Sequence, residues 1–491
     1  MSGQLLALGP GDLFTLPWWL GVPLIVYWVV VVVLLVMDDR EPSSTLTWLF
    51  ILVFLPILGL VVFLFFGRDW KVITARRPWA ARLRAIVDAR MRPIYERNAA
   101  ADERFREEFR DTQAYGVART IARESSVRIL PAATLEVFAT GAEKFARLLE
   151  DCATARRFIH LEYFIWEKDE LTAKLTDVLL DRLQAGVEVR LMYDFIGSVT
   201  FSKRELRRLK SAGAKVSADV TTAMKLNFRN HRKIAVIDAE IGYTGGMNMG
   251  QEYIDGGKRF ATWRDTHMRY TGQAVAELEK LFAMRWYEDE REDILRDEYL
   301  PQPTDRAGRG ILTQTVANTI EDPWEPARRA HLAAISTAQR SLRIQSPYFV
   351  PDEAMQEAIV NAALRGVDVQ FMMTGVVDKA LPFRAAQTYY APLLHAGARI
   401  YQYEAGFFHA KTISVDSAFG AVGTMNMDIR SLRLHKELMV WIYDPGKARE
   451  LDDIFARDLA QCREVTLEDV RSRSRWQRFR DSFARLFSAE I

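Results

Sequence analysis

His231-Arg-Lys-Ile-Ala-Val-Ile-Asp238 and His409-Ala-Lys-Thr-Ile-Ser-Val-Asp416 carry one spacing, His-x-Lys-x4-Asp, at two distant places in a chain of 491 residues. Six residues after each Asp a second element begins, Gly245-Gly-Met-Asn248 in the first copy and Gly423-Thr-Met-Asn426 in the second. A single three-residue match arises readily by chance. Two copies with matched sequels signal a duplication.

The repetition extends outward from the motifs. Phe158-Ile-His-Leu-Glu-Tyr-Phe-Ile165, Ala185-Gly-Val-Glu-Val-Arg190 and Ser211-Ala-Gly-Ala-Lys-Val216 precede the first. Leu342-Arg-Ile-Gln-Ser-Pro-Tyr-Phe-Val350, Arg365-Gly-Val-Asp-Val-Gln370 and His395-Ala-Gly-Ala-Arg-Ile400 precede the second, in the same order. The period is far longer than a solenoid or propeller repeat, so it implies two homologous domains. Short runs rich in Val, Ile and Tyr alternate with amphipathic stretches such as Leu171–Gln184, which predicts an α/β fold with a largely buried sheet. The His and Lys of each motif open a strand. Alternation along extended backbone puts both on one face, where they can share one phosphate. The return strand brings Asn248 or Asn426 back towards them. Pro301-Gln-Pro-Thr-Asp-Arg-Ala-Gly308 reads as the linker between copies.

A net charge of +2 gives no global basic footprint, so no nucleic-acid partner is expected. Only Cys152 and Cys462 are present, which excludes a disulfide framework and any Cys-rich zinc site. Charge distribution says more than its total. Trp18–Met37 and Trp48–Phe66 are two apolar runs without a Lys, Arg, Asp or Glu. Each is long enough, at about 1.5 Å per helical residue, for a hydrocarbon layer of about 30 Å. No Lys or Arg precedes Trp18, so the basic start of a signal peptide is missing. The link Asp38–Ser44 has one Arg, whereas Arg68–Arg92 holds eight Lys or Arg. That asymmetry predicts a two-span hairpin with the residues beyond the second span in the cytoplasm. In the tail, Trp476, Phe479, Phe483 and Leu486 recur at helical spacing among six Arg, a pattern suited to the headgroup plane of a membrane or to packing on the protein.

A phosphodiester anion repels nucleophiles, so a catalyst must neutralise its free oxygens, attack phosphorus and protonate the departing alkoxide. Lys233, Lys411, Asn248 and Asn426 are the candidate phosphate-binding groups. Of His231 and His409, one would attack as neutral imidazole and form a phosphohistidine while the other handles the proton. Two lysine cations do the neutralising, and no carboxylate cluster accompanies them, so no metal or cofactor is expected. Asp238 and Asp416 complete the candidate catalytic set by motif, but as strand-ending residues they favour bonding to nearby backbone.

On these motifs the chain resembles the phospholipase D superfamily, and within it the bacterial cardiolipin synthases. Phe66-Gly-Arg-Asp69, Glu162-Tyr-Phe-Ile165, Asn230-His-Arg-Lys233, Gly245–Tyr253, Trp263-Arg-Asp-Thr-His267 and Gly423–Arg433 carry the resemblance. It implies two α/β phospholipase D-like domains with pseudo-twofold symmetry and one active site at their interface, preceded by the membrane hairpin. It also implies that Asp265 and Glu437 orient the histidines and that His231 is the nucleophile. The expected division is 1–67 hairpin, 68–120 basic linker, 121–300 and 301–470 catalytic domains, and 471–491 basic tail. The expected reaction is phosphatidyl transfer between two phosphatidylglycerol molecules in the bacterial inner membrane, with anionic phospholipids as partners. A hydrolytic phospholipase D, a nuclease of the same superfamily and a non-catalytic lipid-binding scaffold are the alternatives.

Overall fold

The computed structural model describes residues 17–37, 42–63, 67, 78–219, 228–303, 309–318 and 325–488. The expected hairpin link (38–41), the first basic residues after it (68–77) and most of the Pro-rich linker (304–308) lie outside the described residues.

The first copy supplies β1 (Leu130–Phe138), β2 (Phe158–Tyr163), β3 (Glu188–Asp194), β4 (Lys215–Asp219), β5 (Lys233–Ile237), β6 (Ile241–Gly245), β7 (Trp263–Arg264) and β8 (His267–Gly272). The second supplies β9 (Ile311–Asn318), β10 (Ser341–Gln345), β11 (Phe349–Val350), β12 (Asp368–Thr374), β13 (Arg399–Tyr403), β14 (Phe407–Phe408), β15 (Thr412–Val415), β16 (Phe419–Gly423), β17 (Met427–Asp428), β18 (Glu437–Tyr443) and β19 (Cys462–Val465). Fifteen of these form one sheet, ordered β19-β13-β12-β10-β15-β16-β18-β9-β1-β8-β6-β5-β2-β3-β4. Reading outward from the β9–β1 contact, the two copies appear in mirrored order, β18 answering β8, β16 β6, β15 β5 and β10 β2. The pseudo-twofold therefore passes between β1 and β9, which pair antiparallel with Pro131 opposite Leu312. This mixed α/β sheet with two related halves is the expected fold class.

Strands such as β2, β5, β15 and β18 are buried along their whole length. That explains their near-continuous apolar sequence, because helices cover the sheet and leave no wet face. One core joins the halves, since Leu278 and Phe282 of the helix Val275–Glu290 share a cluster with Val422, Leu438 and Val440. The expected linker 68–120 is helical from Pro78 where described. Its Met91 and Ile94 bury with the first half, and its Phe105, Phe109 and Val117, with Ile121 just beyond, bury in the second half's core, so the segment that leads into the first copy also packs on the second.

At the N-terminus a helix spans Trp18–Met37, and a second is divided into Pro42–Phe54 and Pro56–Val62. The break falls where Pro56 has no amide hydrogen to donate back along the helix. Among the described residues, no helix is long and apolar enough to cross a membrane.

Candidate active site

Each motif histidine stands just ahead of an antiparallel strand, at the edge where the parallel strands of its half end. Lys233 lies opposite Tyr163, the last residue of β2, and Thr412 opposite Gln345, the last residue of β10. The strand that carries the motif then runs away from this edge. Asp238 and Asp416 are reached seven residues later, about 20 Å along extended backbone at roughly 3.3 Å per residue.

There the two Asp do structural work. Asp238 accepts from the backbone N–H of Arg156 (2.7 Å), Arg157 (2.8 Å) and Phe158 (2.9 Å). Asp416 accepts from Arg340 (2.6 Å), Ser341 (2.9 Å) and Gln339 (3.1 Å). Each also turns the chain in the left-handed region, at φ 56° and 55°, with Ala239 at 60° and Ser417 at 53° next in line. Asp tolerates that conformation better than most residues. The motif's acidic member thus locks the hairpin behind the site and stays out of the site itself, for the physical reason that the length of the intervening strand separates them.

The histidines are held by reciprocal exchange between the halves. His231 Nδ1 lies 2.9 Å from Glu437 Oε1, and His409 Nδ1 lies 2.7 Å from Asp265 Oδ2. Each half therefore provides the carboxylate for the other half's imidazole. The backbone makes the same exchange. His231 N–H donates to Lys436 O (2.9 Å), Lys436 N–H to Arg229 O (2.9 Å), and His409 N–H to Arg264 O (2.7 Å). β14 pairs parallel with β7, Phe407 facing Trp263 and Phe408 facing Arg264. The Arg264 guanidinium closes the seam with two bonds of 2.7 Å to Asp458, both side chains nearly buried. A carboxylate at Nδ1 keeps a proton there and leaves the Nε2 lone pair for chemistry.

The cations lie immediately behind the rings. Lys233 donates to His231 O at 2.6 Å and Lys411 to His409 O. Asn248 accepts from Ile165 N–H (3.2 Å) and donates to Tyr253 Oη (2.9 Å). Asn426 bonds the Asp428 carboxyl, and its own carbonyl oxygen is buried without a partner among the described residues. Burial, with Lys233, Lys411 and His409 nearby, holds His231 well below the usual histidine range. Burial and Lys411 lower His409 to about 4, against the opposing pull of Asp265. Burial likewise brings Lys233 down to about 7 and Lys411 to about 8. Each histidine responds to both lysines, so the two motifs share one electrostatic site. An anion arriving there would relieve that cationic crowding.

Two supporting groups escape sequence reasoning. His435 sits with its ring 5.8 Å from that of His231 and Nδ1 3.8 Å from Glu437. A lone histidine two residues before Glu437 gave no signal. The potential ligand atoms of His231, His435 and Glu437 lie within 4.8 Å of one another, a spacing compatible with a metal ion. The charges of Lys233 and Lys411 oppose a dication there, and His231 already uses Nδ1 on Glu437. The other missed group is Lys144, wholly buried, which donates to Tyr163 Oη (3.3 Å) and whose charge couples to Asp265.

A duplicated α/β sheet with a histidine and a lysine from each half meeting at the seam defines a phospholipase D-like phosphoryl-transfer protein. Known proteins agree. Residues 148–286 and 332–459 match the family described as cardiolipin synthase, PLD-like domain, and residues 24–68 match the phospholipase D-nuclease N-terminal family. The chain is 34% identical to the major cardiolipin synthase of Bacillus subtilis (strain 168) over 464 residues, covering 93% of this chain and 95% of that one. It is also 34% identical to a cardiolipin synthase of Staphylococcus aureus (strain N315) over 462 residues, covering 92% of each. Among solved structures, the phosphatidylserine synthase of Haemophilus influenzae Rd KW20 shares the fold, with a TM-score of 0.58 over 76% of this chain and 98% of that one at 14% identity. The chain belongs to the cardiolipin synthase family with phospholipase D-like domains.

Proposed function

We propose that the chain condenses two phosphatidylglycerol molecules into cardiolipin and glycerol through a phosphohistidine. Family membership makes it a phosphatidyltransferase of the cardiolipin synthase type. The observation that carries the mechanism is the crossed pair of histidine–carboxylate contacts at 2.9 and 2.7 Å. His231 Nε2 attacks phosphorus, forming the P–N bond as the P–O bond to glycerol breaks, and His409, protonated at Nε2 once the bound phosphate anion offsets the lysine charges that depress it, gives the departing glycerol oxygen that proton. A hydroxyl of the second phosphatidylglycerol then loses its proton to His409 and attacks, and the P–N bond breaks to release His231. Lys233, Lys411, Asn248 and Asn426 hold the free phosphate oxygens throughout, while Glu437 and Asp265 orient the rings.

The same reading assigns the N-terminal helices to a two-span membrane hairpin with both catalytic halves, about 121–300 and 301–470, on the cytoplasmic side of a bacterial cell membrane. The supports are the absence of Lys, Arg, Asp and Glu from Trp18–Met37, the outward-facing Trp18, Val22, Val29 and Leu34, and the basic excess after the second run. Anionic phospholipid is both the substrate and the surface on which the chain works.

Incubating the full-length protein with phosphatidylglycerol vesicles, and quantifying cardiolipin and free glycerol together, tests the reaction. Equimolar cardiolipin and glycerol are expected. Phosphatidic acid with no cardiolipin would defeat the synthase reading in favour of hydrolysis.

A further inference from the structure

The last helix, Arg475–Arg485, is anchored along one stripe only. Asp481, Ala484 and Ser488 are buried. Arg473 bridges Asp481 (2.6 Å) and Gln387 (3.1 Å), and the Arg485 guanidinium lies 4.7 Å over the Tyr389 ring. These contacts seat the helix on Ala380–Ala386 and the turn directly after it. The opposite stripe, Trp476, Phe479, Phe483 and Leu486, is 64, 59, 51 and 78% exposed. Its rings stack on one another, Trp476 on Phe479 at 5.5 Å and Phe479 on Phe483 at 6.3 Å. So the tail packs on the protein with one face and leaves an aromatic ladder bare on the other.

Two observations identify what covers it. The first is charge. Residues 471–487 contain six Arg and one acid, Asp481, which is already paired with Arg473. At 3.6 residues per turn, Arg475 and Arg480 fall on either side of the apolar stripe, the arrangement in which guanidinium groups meet headgroup phosphates while the stripe enters the acyl boundary. A second copy of the chain would bring the same basic face against itself. The second is position. The helix Ala380–Ala386 starts one residue after Lys379, whose charge helps depress His231. Val377 and Leu381 beside it are also exposed, and Arg259 pins this loop to the first half through Asp378 at 2.8 Å. The helix that seats the tail therefore begins beside a lysine whose charge reaches His231.

We propose that Arg475–Arg485 is a membrane-docking helix. It lies in the headgroup layer of an anionic bilayer with Trp476, Phe479, Phe483 and Leu486 inserted, and it holds the Lys379 side of the mouth against the surface that supplies substrate headgroups. The role at the mouth rests on the lipid-transfer reading; the docking does not.

Two arms test it on the full chain reconstituted in vesicles containing phosphatidylglycerol. In a Cys462→Ser background, Phe479→Cys carries an environment-sensitive fluorophore. Quenching by nitroxide-labelled lipid and shielding from aqueous iodide are expected. Free access to iodide overturns the proposal, and shielding from both quenchers overturns it in favour of a protein partner. In the second arm, Trp476→Glu combined with Phe479→Glu and Phe483→Glu is expected to lower turnover of vesicle phosphatidylglycerol at least about tenfold. Turnover of a water-soluble short-chain phosphatidylglycerol should stay within about twofold. An equal loss on both substrates makes the helix a structural element and overturns docking. Lipid contact in the first arm by a protein that turns over neither substrate upholds docking and defeats the proposed reaction instead.

Discussion

Glu437 reaches His231 from the start of β18, and Asp265, one methylene shorter, reaches His409 from the bend between β7 and β8. The difference propagates to the neighbouring residue of each Gly-x-Met-Asn element. In the second half Thr424 donates its hydroxyl to Glu437 Oε2. In the first half the matching residue is Gly246, where a Cβ would stand 2.0 Å from Asp265 Oδ1. The longer acid thus comes with a side chain that grips it, and the shorter acid with a gap that admits it. Behind Asp265 lie the buried Lys144 and His267, whereas the position matching His267 is Met439. The two histidines carry out unlike tasks in the proposed cycle, one bonding phosphorus and one moving a proton, and the unlike supports give each its own environment.

The severest way to break the comparison is to remove each ring. His231→Ala and His409→Ala should both lower cardiolipin formation by at least about 10³-fold. They should differ in what accumulates. With His231 as the nucleophile, His231→Ala forms no phosphoenzyme from labelled substrate, while His409→Ala forms and discharges it slowly. The reverse pattern would exchange the roles of the halves.

Exchanging the carboxylates for amides sharpens the point with a smaller effect. Glu437→Gln and Asp265→Asn should each cost about 10²-fold in kcat, because an amide cannot stabilise an imidazolium or fix its Nδ1 proton as a carboxylate does. Since the acids are exchanged between halves, Glu437→Gln should slow phosphoenzyme formation, where positive charge develops on His231, without slowing breakdown, whereas Asp265→Asn should slow both, because His409 moves a proton in each. Rapid-quench measurement of phosphoenzyme formation and breakdown separates them. Defects tracking the halves in the opposite sense would contradict the crossed contacts.

Much of this is legible in the amino-acid sequence, and the remainder is hidden for a physical cause. The duplication, both strands of each hairpin and the motif residues are local patterns that period-two alternation and repetition expose. The exchange is not local. It depends on β7 pairing with β14 and on the Asn230–Lys436 bridge, contacts too short to leave any periodicity. Asp238 and Asp416 belong to the motif by spacing, yet only the backbone amides they accept from reveal that the spacing serves the hairpin. His435 and Lys144 stand alone in sequence, and solitary residues acquire meaning only from neighbours in space. The N-terminal runs are the converse case, where composition speaks more plainly than the packing of the described residues.

A pH profile tests whether the two halves share one electrostatic site. Lys233 and Lys411 must be charged to bind phosphate, and burial lowers them to about 7 and about 8. Because a depressed lysine loses its proton as pH rises, kcat/KM, which reports on the free enzyme, should fall about tenfold per unit between roughly pH 7 and 8 and about hundredfold per unit above that, once both lysines have discharged. His231, held well below the usual range, should add no acid limb near pH 6.5. A basic limb found only near pH 10 would mean that the lysines behave as exposed ones and that the halves are not coupled.

The smallest expected effect probes the least symmetric contact. Thr424→Val keeps the shape of the side chain and removes the hydroxyl that Glu437 Oε2 accepts from, leaving Glu437 bound to His231 and freer to shift towards His435. A hydrogen bond to a charged group contributes about 1.5–3 kcal/mol. Part of this is recovered as Glu437 leans on His231, so the loss in kcat should be only about 3–10-fold, confined to phosphoenzyme formation. Gly246 offers the control from the other half. Gly246→Ala leaves Glu437 untouched but drives a methyl into Asp265, so its defect should appear in both formation and breakdown of the phosphoenzyme. If Thr424→Val slowed both steps alike, Glu437 would be supporting the whole seam, and the division of labour between the halves would have to be drawn elsewhere.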